Sequence, residues 1–168
     1  MRTLIIANLI IFLFTACQSK KQEPINAIVS KELLQKANRQ IVKNNNAEID
    51  AYTQRHKWEN VQKTGTGLRY YIYKNNSETK IVSGQSIRIK YWLKTLEGLV
   101  IIDKIKPTEK QFVVEKENAE SGINEVLTYL HIGDKAKIIL PPHLAFGLSG
   151  NENIPPMAVL VYDLEVVE

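Results

Sequence analysis

The chain of 168 residues carries one cysteine, Cys17, and three histidines. A single thiol has no intrachain disulfide partner, so the fold must be held by its core alone. His56, His131 and His143 are too dispersed to form a metal site, which needs about four donors brought together at short spacings. Neither sign of charge dominates, since 22 Lys and Arg against 18 Asp and Glu leave a formal charge of +4. The basic residues are scattered among acids. No stripe of basic and aromatic side chains marks a nucleic-acid surface. Internal repeats and low-complexity tracts are also missing. What remains is an ordinary globular composition, 44% hydrophobic and 24% charged, of a length that favours one main domain plus an appendage.

The longest apolar run lies at the start. Met1-Arg2 precedes Leu4 to Phe14, which only Asn8 interrupts, and Thr15-Ala16 leads to Cys17. The run is too short for a comfortable membrane span and has the outline of a secretory signal peptide over residues 1–16. Leu13-Phe14-Thr15-Ala16-Cys17 resembles a bacterial lipobox, with Phe14 where leucine is usual. That resemblance implies lipidation of Cys17 and a membrane anchor through it, each buried methylene adding about 0.8 kcal/mol. Gln18-Ser19-Lys20-Lys21 contains no aspartate, which points to the outer membrane, facing the periplasm. Residues 17–29 read as a polar tether.

A helical extension is expected over residues 30–62. Ser30 opens it, and Leu33, Leu34, Ala37, Ile41 and Val42 share one helical face. Asn44-Asn45-Asn46 should interrupt it, because asparagine favours turns and caps. A second helix then runs from Ala47 to Glu59, with Ile49, Tyr52, His56 and Trp58 on its apolar side. A short amphipathic helix needs a surface. Packing within the chain is the expected solution, and a dimer through these helices is the alternative.

Beyond Lys63 the period changes. Leu68 to Lys74 is a tyrosine-rich strand, and Ser86 to Leu93 alternates Ile87, Ile89, Tyr91 and Leu93 with polar residues, as a half-buried antiparallel strand does. Trp92 falls out of phase with Tyr91, so it should face away and cover the N-terminal helices. Short strands at Leu99–Ile102 and Gln111–Val114 precede a helix from Gly122 to His131, with Ile123, Val126, Leu127 and Leu130 on one face. Strands at Lys135–Leu140 and at the chain end complete an α+β pattern.

Five groups of residues stand in an order with a known parallel: Gly67-Leu68-Arg69-Tyr70, Gly84 to Tyr91, Gly133-Asp134 with Pro141-Pro142, Leu144-Ala145-Phe146-Gly147, and Ile154-Pro155-Pro156 with Leu160 to Asp163. The order resembles the FKBP-type peptidyl-prolyl cis-trans isomerases. The resemblance implies a domain over 63–168 in which a curved antiparallel β-sheet wraps around one short helix and forms an apolar cleft. In this family a prolyl ring sits in the cleft while its preceding peptide bond rotates over a barrier of about 18–20 kcal/mol. A dry pocket disfavours the planar, charge-separated amide, and preorganised polar contacts favour the twisted one. The mechanism requires no nucleophile, metal or cofactor. Carried onto this sequence, the resemblance implies Tyr91, Asp103 and Phe146 as catalytic residues, and Ile102, Phe112, Glu120, Ile123, Ile154 and Tyr162 as substrate-binding ones. Asp103 would aim its carboxylate toward the substrate carbonyl. Five positions depart from the family: Ile102 replaces phenylalanine, Ile123 the floor tryptophan, Phe146 the loop tyrosine, and Ala119-Glu120 a Val-Ile pair. The implied function is isomerisation of proline-containing envelope or secreted clients, with a non-catalytic binding module or a scaffold subunit as alternatives. Among lipoproteins the chain is similar to the gliding-motility-associated FKBP-type isomerases of Bacteroidetes.

Overall fold

The computed structural model describes residues 25–75, 79–103, 105–116 and 119–167. The signal segment, Cys17 and the tether up to residue 24 lie outside them. The described elements are helix α1 (Ile25–Arg55), strands β1 (Gln62–Lys63), β2 (Arg69–Lys74), β3 (Ser86–Thr95), β4 (Val100–Ile102) and β5 (Thr108–Val113), helix α2 (Ser121–Leu127), then β6 (Lys135–Leu140) and β7 (Leu160–Val167). All seven strands form one antiparallel sheet in the order β1-β2-β6-β7-β3-β4, and β5 also pairs with β3. Strand β3 organises it. One of its edges carries β7, and the other is shared by β5 along Ser86–Tyr91 and β4 at Leu93–Lys94.

The two faces of the sheet bury separate apolar clusters. On the inner face, Ile87, Ile89 and Leu93 of β3, Ile138 and Leu140 of β6, and Leu160, Tyr162 and Leu164 of β7 pack against Ile123, Val126 and Leu127 of α2. This is the α+β architecture expected, a curved antiparallel sheet with one short helix in its concavity. Helix α2 is shorter than the periodicity suggests, because the amides of Thr128, Tyr129 and Leu130 reach back three residues and tighten the last turn. Gly122 lets α2 approach the sheet, since a Cβ there would stand 2.5 Å from Leu140 Cδ2. On the outer face, Ile139, Val159 and Val161 meet Ile49 and Tyr52 of α1, with Trp58 and Leu96 at the margin.

The chain divides into two compact units, residues 1–39 and 40–168. In the first, Leu33 and Leu34 are exposed. The second includes the last part of α1, which covers the outer face of the sheet.

The expected break at Asn44–Asn46 does not occur, and α1 ends at Arg55 rather than Glu59. The asparagine side chains are occupied in ways that spare the helix. Asn44 Oδ1 accepts from Gln40 Nε2 at 2.8 Å, and Asn46 Nδ2 donates to the Val42 carbonyl one turn back at 2.9 Å. The other end of the Asn46 amide accepts from Arg69 Nη2 at 2.9 Å. Arg69 is 2% exposed and also donates to Asp50 Oδ1 at 2.8 and 3.1 Å and to the Gly67 carbonyl at 2.6 Å. A tertiary partner has overridden a local preference. The helix stops where Lys57 takes a left-handed φ of 51°.

Asp50→Ala leaves that guanidinium buried without its carboxylate. The Asp50 side chain is half exposed, which screens the pair, and two of the Arg69 contacts survive. The expected loss is about 1–3 kcal/mol, read as a lower urea midpoint, with Arg69→Met milder because both removed charge and retained stem avoid an unpaired cation.

Candidate functional site

The inner face carries an aromatic corner where β3, β4 and β7 converge. Leu93 pairs with both Ile102 and Tyr162, so those two side chains flank one row of the sheet. Tyr91 lies diagonal to Tyr162, with ring centroids 5.6 Å apart and planes tilted by 41°. Ile123 enters from α2 and Ile154 from the loop before β7, and both are buried; Ile102 and Phe146 are half-buried against the same cluster. Six of the nine expected site residues therefore share one apolar surface: Tyr91, Ile102, Ile123, Phe146, Ile154 and Tyr162.

Glu120 joins them at the head of α2. Its backbone carbonyl accepts the amides of Ile123 at 2.9 Å and Asn124 at 3.2 Å, while the residue itself is half-buried. Burial, and then the negative charge of Glu120, hold the Tyr91 phenol above its ordinary value. The same two causes in the same order, followed by Tyr91, raise Tyr162 further. Neither hydroxyl has a hydrogen-bond partner among the described residues. The corner thus offers an apolar floor below two protonated phenols, each free to donate to a carbonyl.

Those shifts carry a consequence for stability. An unfolded tyrosine ionises near pH 10, whereas Tyr162 in the folded chain keeps its proton beyond that pH. Above about pH 10 the unfolded chain binds fewer protons than the folded one, so stability falls as pH rises; below it the contribution is complete. Urea midpoints measured from about pH 8 to pH 11 should drop more steeply in the wild type than in Tyr162→Phe, which lacks the ionising group.

The loop over the corner is built by Pro141-Pro142, which ends β6, and by a short 3₁₀ turn at Pro142–Leu144. The amide of Gly147 closes onto the Pro142 carbonyl at 2.8 Å. Asn151 then sets the position of Ile154: its Oδ1 accepts the amides of Asn153 at 2.9 Å and Ile154 at 2.8 Å, and its own amide donates to the Ile154 carbonyl at 2.9 Å. Sequence reasoning passed over Asn151, although an asparagine three residues before a buried apolar residue is a signal for such an Asx turn.

Asp103 and Phe112 complete the expected set. Asp103 is exposed, its Oδ1 accepts the Ile105 amide at 3.0 Å in a local turn, and it lines one cleft with Ile102 and Tyr162. Phe112 pairs through its backbone with Ile87, and its side chain lies outside the described residues. Trp92 faces away from the corner, as its phase predicts, and lines an outer-face cleft with Tyr52 and His56 of α1.

The description "FKBP-type peptidyl-prolyl cis-trans isomerase" matches residues 77–167. The chain belongs to that family. Among FKBP-type relatives, the peptidyl-prolyl cis-trans isomerase FKBP9 of Bos taurus is 32% identical over 108 residues, 63% of this chain and 19% of its own length. The FKBP-type 22 kDa isomerase of Escherichia coli is 28% identical over 114 residues, 67% of this chain and 54% of its own. The chain therefore spans about a fifth of the first relative and about half of the second. The crystal structure of FkpA from Escherichia coli shares the FKBP fold, with a TM-score of 0.62 at 21% identity, covering 100% of this chain and 81% of that one.

Proposed function

We propose that the protein is a working peptidyl-prolyl cis-trans isomerase for proline-containing polypeptide clients of the cell envelope. The observation that carries this reading is the aromatic corner, where the unpartnered hydroxyls of Tyr91 and Tyr162 stand over the apolar floor of Ile123 and Ile154. A prolyl ring enters that surface and sheds water. Its preceding carbonyl meets the phenol donors, which hold its orientation, while the dry apolar floor disfavours the planar, charge-separated amide and so favours the twisted one. Phe146 and Ile102 close the sides. No group exchanges a proton or forms a bond, and the chain's own residues do the work by excluding water and fixing orientation.

Glu120 adds a preference. Its carboxylate at the mouth disfavours an acidic residue before the proline and favours a basic one, by about 1 kcal/mol for a solvated pair. The kcat/KM for Lys-Pro over Glu-Pro peptides should be about fivefold and fall to near unity in Glu120→Gln. An unchanged ratio would remove Glu120 from the cleft mouth.

Anchoring belongs to the same proposal. The likeness of Leu13–Cys17 to a lipobox supports a lipid-modified Cys17 at the periplasmic face of the outer membrane, in the manner of the gliding-motility-associated isomerases. Incorporation of labelled palmitate, abolished by Cys17→Ala, tests it; equal labelling of both would contradict it. The exposed Leu33 and Leu34 suit pairing of α1 with a second copy, and sedimentation velocity distinguishes dimer from monomer. A non-catalytic binding module is the second reading, favoured by Ile123 and Phe146 in place of the family's tryptophan and tyrosine.

A further inference from the structure

One cleft of about 300 Å³ joins residues of the prolyl corner to the outer face of the sheet. Ile102 and Tyr162 of the corner line it, and so do Tyr52 and His56 of α1, Trp58 just beyond that helix, and Trp92 on β3. Strand β4 makes the passage. It stands last in the order of the sheet, and its pairing with β3 shifts register between Leu93 and Lys94. That irregularity sets Ile102 beside Leu93 of the inner cluster and Val100 beside Lys94, whose ammonium lies 5.6 Å from the Tyr52 ring centre on the outer face. Val100 and Asp103 are exposed, so the cleft opens to solvent along this edge.

The lining carries both signs of charge. Lys94 and Lys137 are matched by Asp103 and Asp163, and Asp163 already accepts the Tyr73 hydroxyl at 2.7 Å. A balanced polar rim gives a charged ligand no net attraction, which leaves selection to the aromatic walls. Most of those rings have partners. Tyr52 stacks on His56 with centroids 3.9 Å apart and meets Trp58 edge-on at 5.8 Å, while Lys137 Nζ lies 5.9 Å from the Trp58 ring centre. Trp92 is the exception. Half-buried, it has neither an aromatic nor a cationic partner among the described residues. A further ring placed there gains by leaving water and by stacking. The volume is at the lower end for a ligand site, which suits one side chain rather than a length of peptide.

Building on the isomerase reading of the corner, we propose that this cleft extends the prolyl site and takes an aromatic side chain of the client, about two or three residues from the proline. The residues next to the proline stay in the corner with it. To round a single strand, about 4.8 Å across, an extended chain advancing about 3.3 Å per residue needs about two more. The rings of Tyr52, His56 and Trp58 all precede the family-matched stretch 77–167. The preference therefore belongs to this chain's own extension, which supplies the far wall of the cleft.

The test uses the full chain and peptides with one proline and one phenylalanine, the latter at successive positions to either side. Exchange NMR reads turnover, and the fluorescence of Trp58 and Trp92, the two tryptophans of the chain, reads binding. Phenylalanine about two or three residues from the proline should raise kcat/KM about fivefold to tenfold over the peptide without it. The gain should come through KM, because the added contact is alike in the ground and transition states. Trp92→Leu and Trp58→Leu should each bring that ratio to within about twofold of unity, with a melting curve checking the fold. Val100→Asp is the gentler variant, since Val100 is exposed, and should lower the ratio at least about twofold. Acceleration that ignores the phenylalanine, or that peaks only where it adjoins the proline, would overturn the proposal and leave the isomerase reading standing. So would a ratio that survives both tryptophan variants. Saturable binding with the expected spacing but no acceleration would do the reverse, keeping the cleft and removing the isomerase. Neither binding nor acceleration by a folded chain would overturn both.

Discussion

Tyr91→Ala should lower kcat/KM for X-Pro peptides by about tenfold to a hundredfold while leaving the protein folded. The residue is half-buried, so its removal opens the cleft to water without emptying the core. Two contributions are lost together. A hydroxyl free to donate to the twisting carbonyl is worth about 0.5–1.5 kcal/mol, and the ring that braces Tyr162 at 5.6 Å contributes a similar amount, about 0.5–1.5 kcal/mol. Tyr91→Phe separates them, because it removes the donor alone and should cost no more than about tenfold. Tyr162→Ala is a poorer probe. Tyr162 is 2% exposed, and truncating so buried an aromatic costs about 3–5 kcal/mol of stability, which would blur the kinetic effect. A thermal melt beside the kinetics of each variant keeps the two effects apart.

Gly150→Ala should destabilise the domain by about 3 kcal/mol or more and disturb the cleft with it. Gly150 has a φ of +63°, and a Cβ there would overlap the Ile154 carbonyl oxygen and stand 2.8 Å from Pro155 C and Pro156 N. These obstacles are backbone atoms, stiffened by two prolines, so no side chain can rotate away. Relief requires the loop to move, and the loop carries Ile154. Gly147 is the internal control. Its φ of +62° is nearly the same, but no atom lies within 4 Å of its Cβ position. Gly147→Ala should therefore cost only the left-handed backbone term, about 1–2 kcal/mol. Urea midpoints of the two variants measure the difference directly; equal losses would show that steric closure around Gly150 is unimportant.

Most of the scaffold was readable because its signals are local. The alternation of Ile87, Ile89, Tyr91 and Leu93, the proline pair that ends β6, and the glycine-punctuated loop each act over a few residues, and each forms the element expected of it. The inner-face cluster follows from the same periodicities. Continuity of α1 was not readable, because it depends on Arg69, which lies 23 residues beyond Asn46 in the chain and holds its amide. No pattern within the helix reveals that partner. The turn at Asp103 was hidden for the opposite reason. A resemblance at one position could not foresee that one carboxylate oxygen accepts the amide two residues later, the ordinary behaviour of an aspartate in a turn. The outer-face cleft joins residues from α1, the segment after it, β3 and β6, an assembly that only the folded sheet produces.

The most direct test is exchange NMR on an X-Pro peptide with the chain from Ile25 to Glu168, which retains the α1 residues that cover the outer face. Saturable acceleration of cis–trans exchange, reduced at least about tenfold in Tyr91→Ala, is the expected result. Peptide binding without acceleration, by a chain whose melting curve shows it folded, would contradict isomerase activity and leave the aromatic corner as a binding surface.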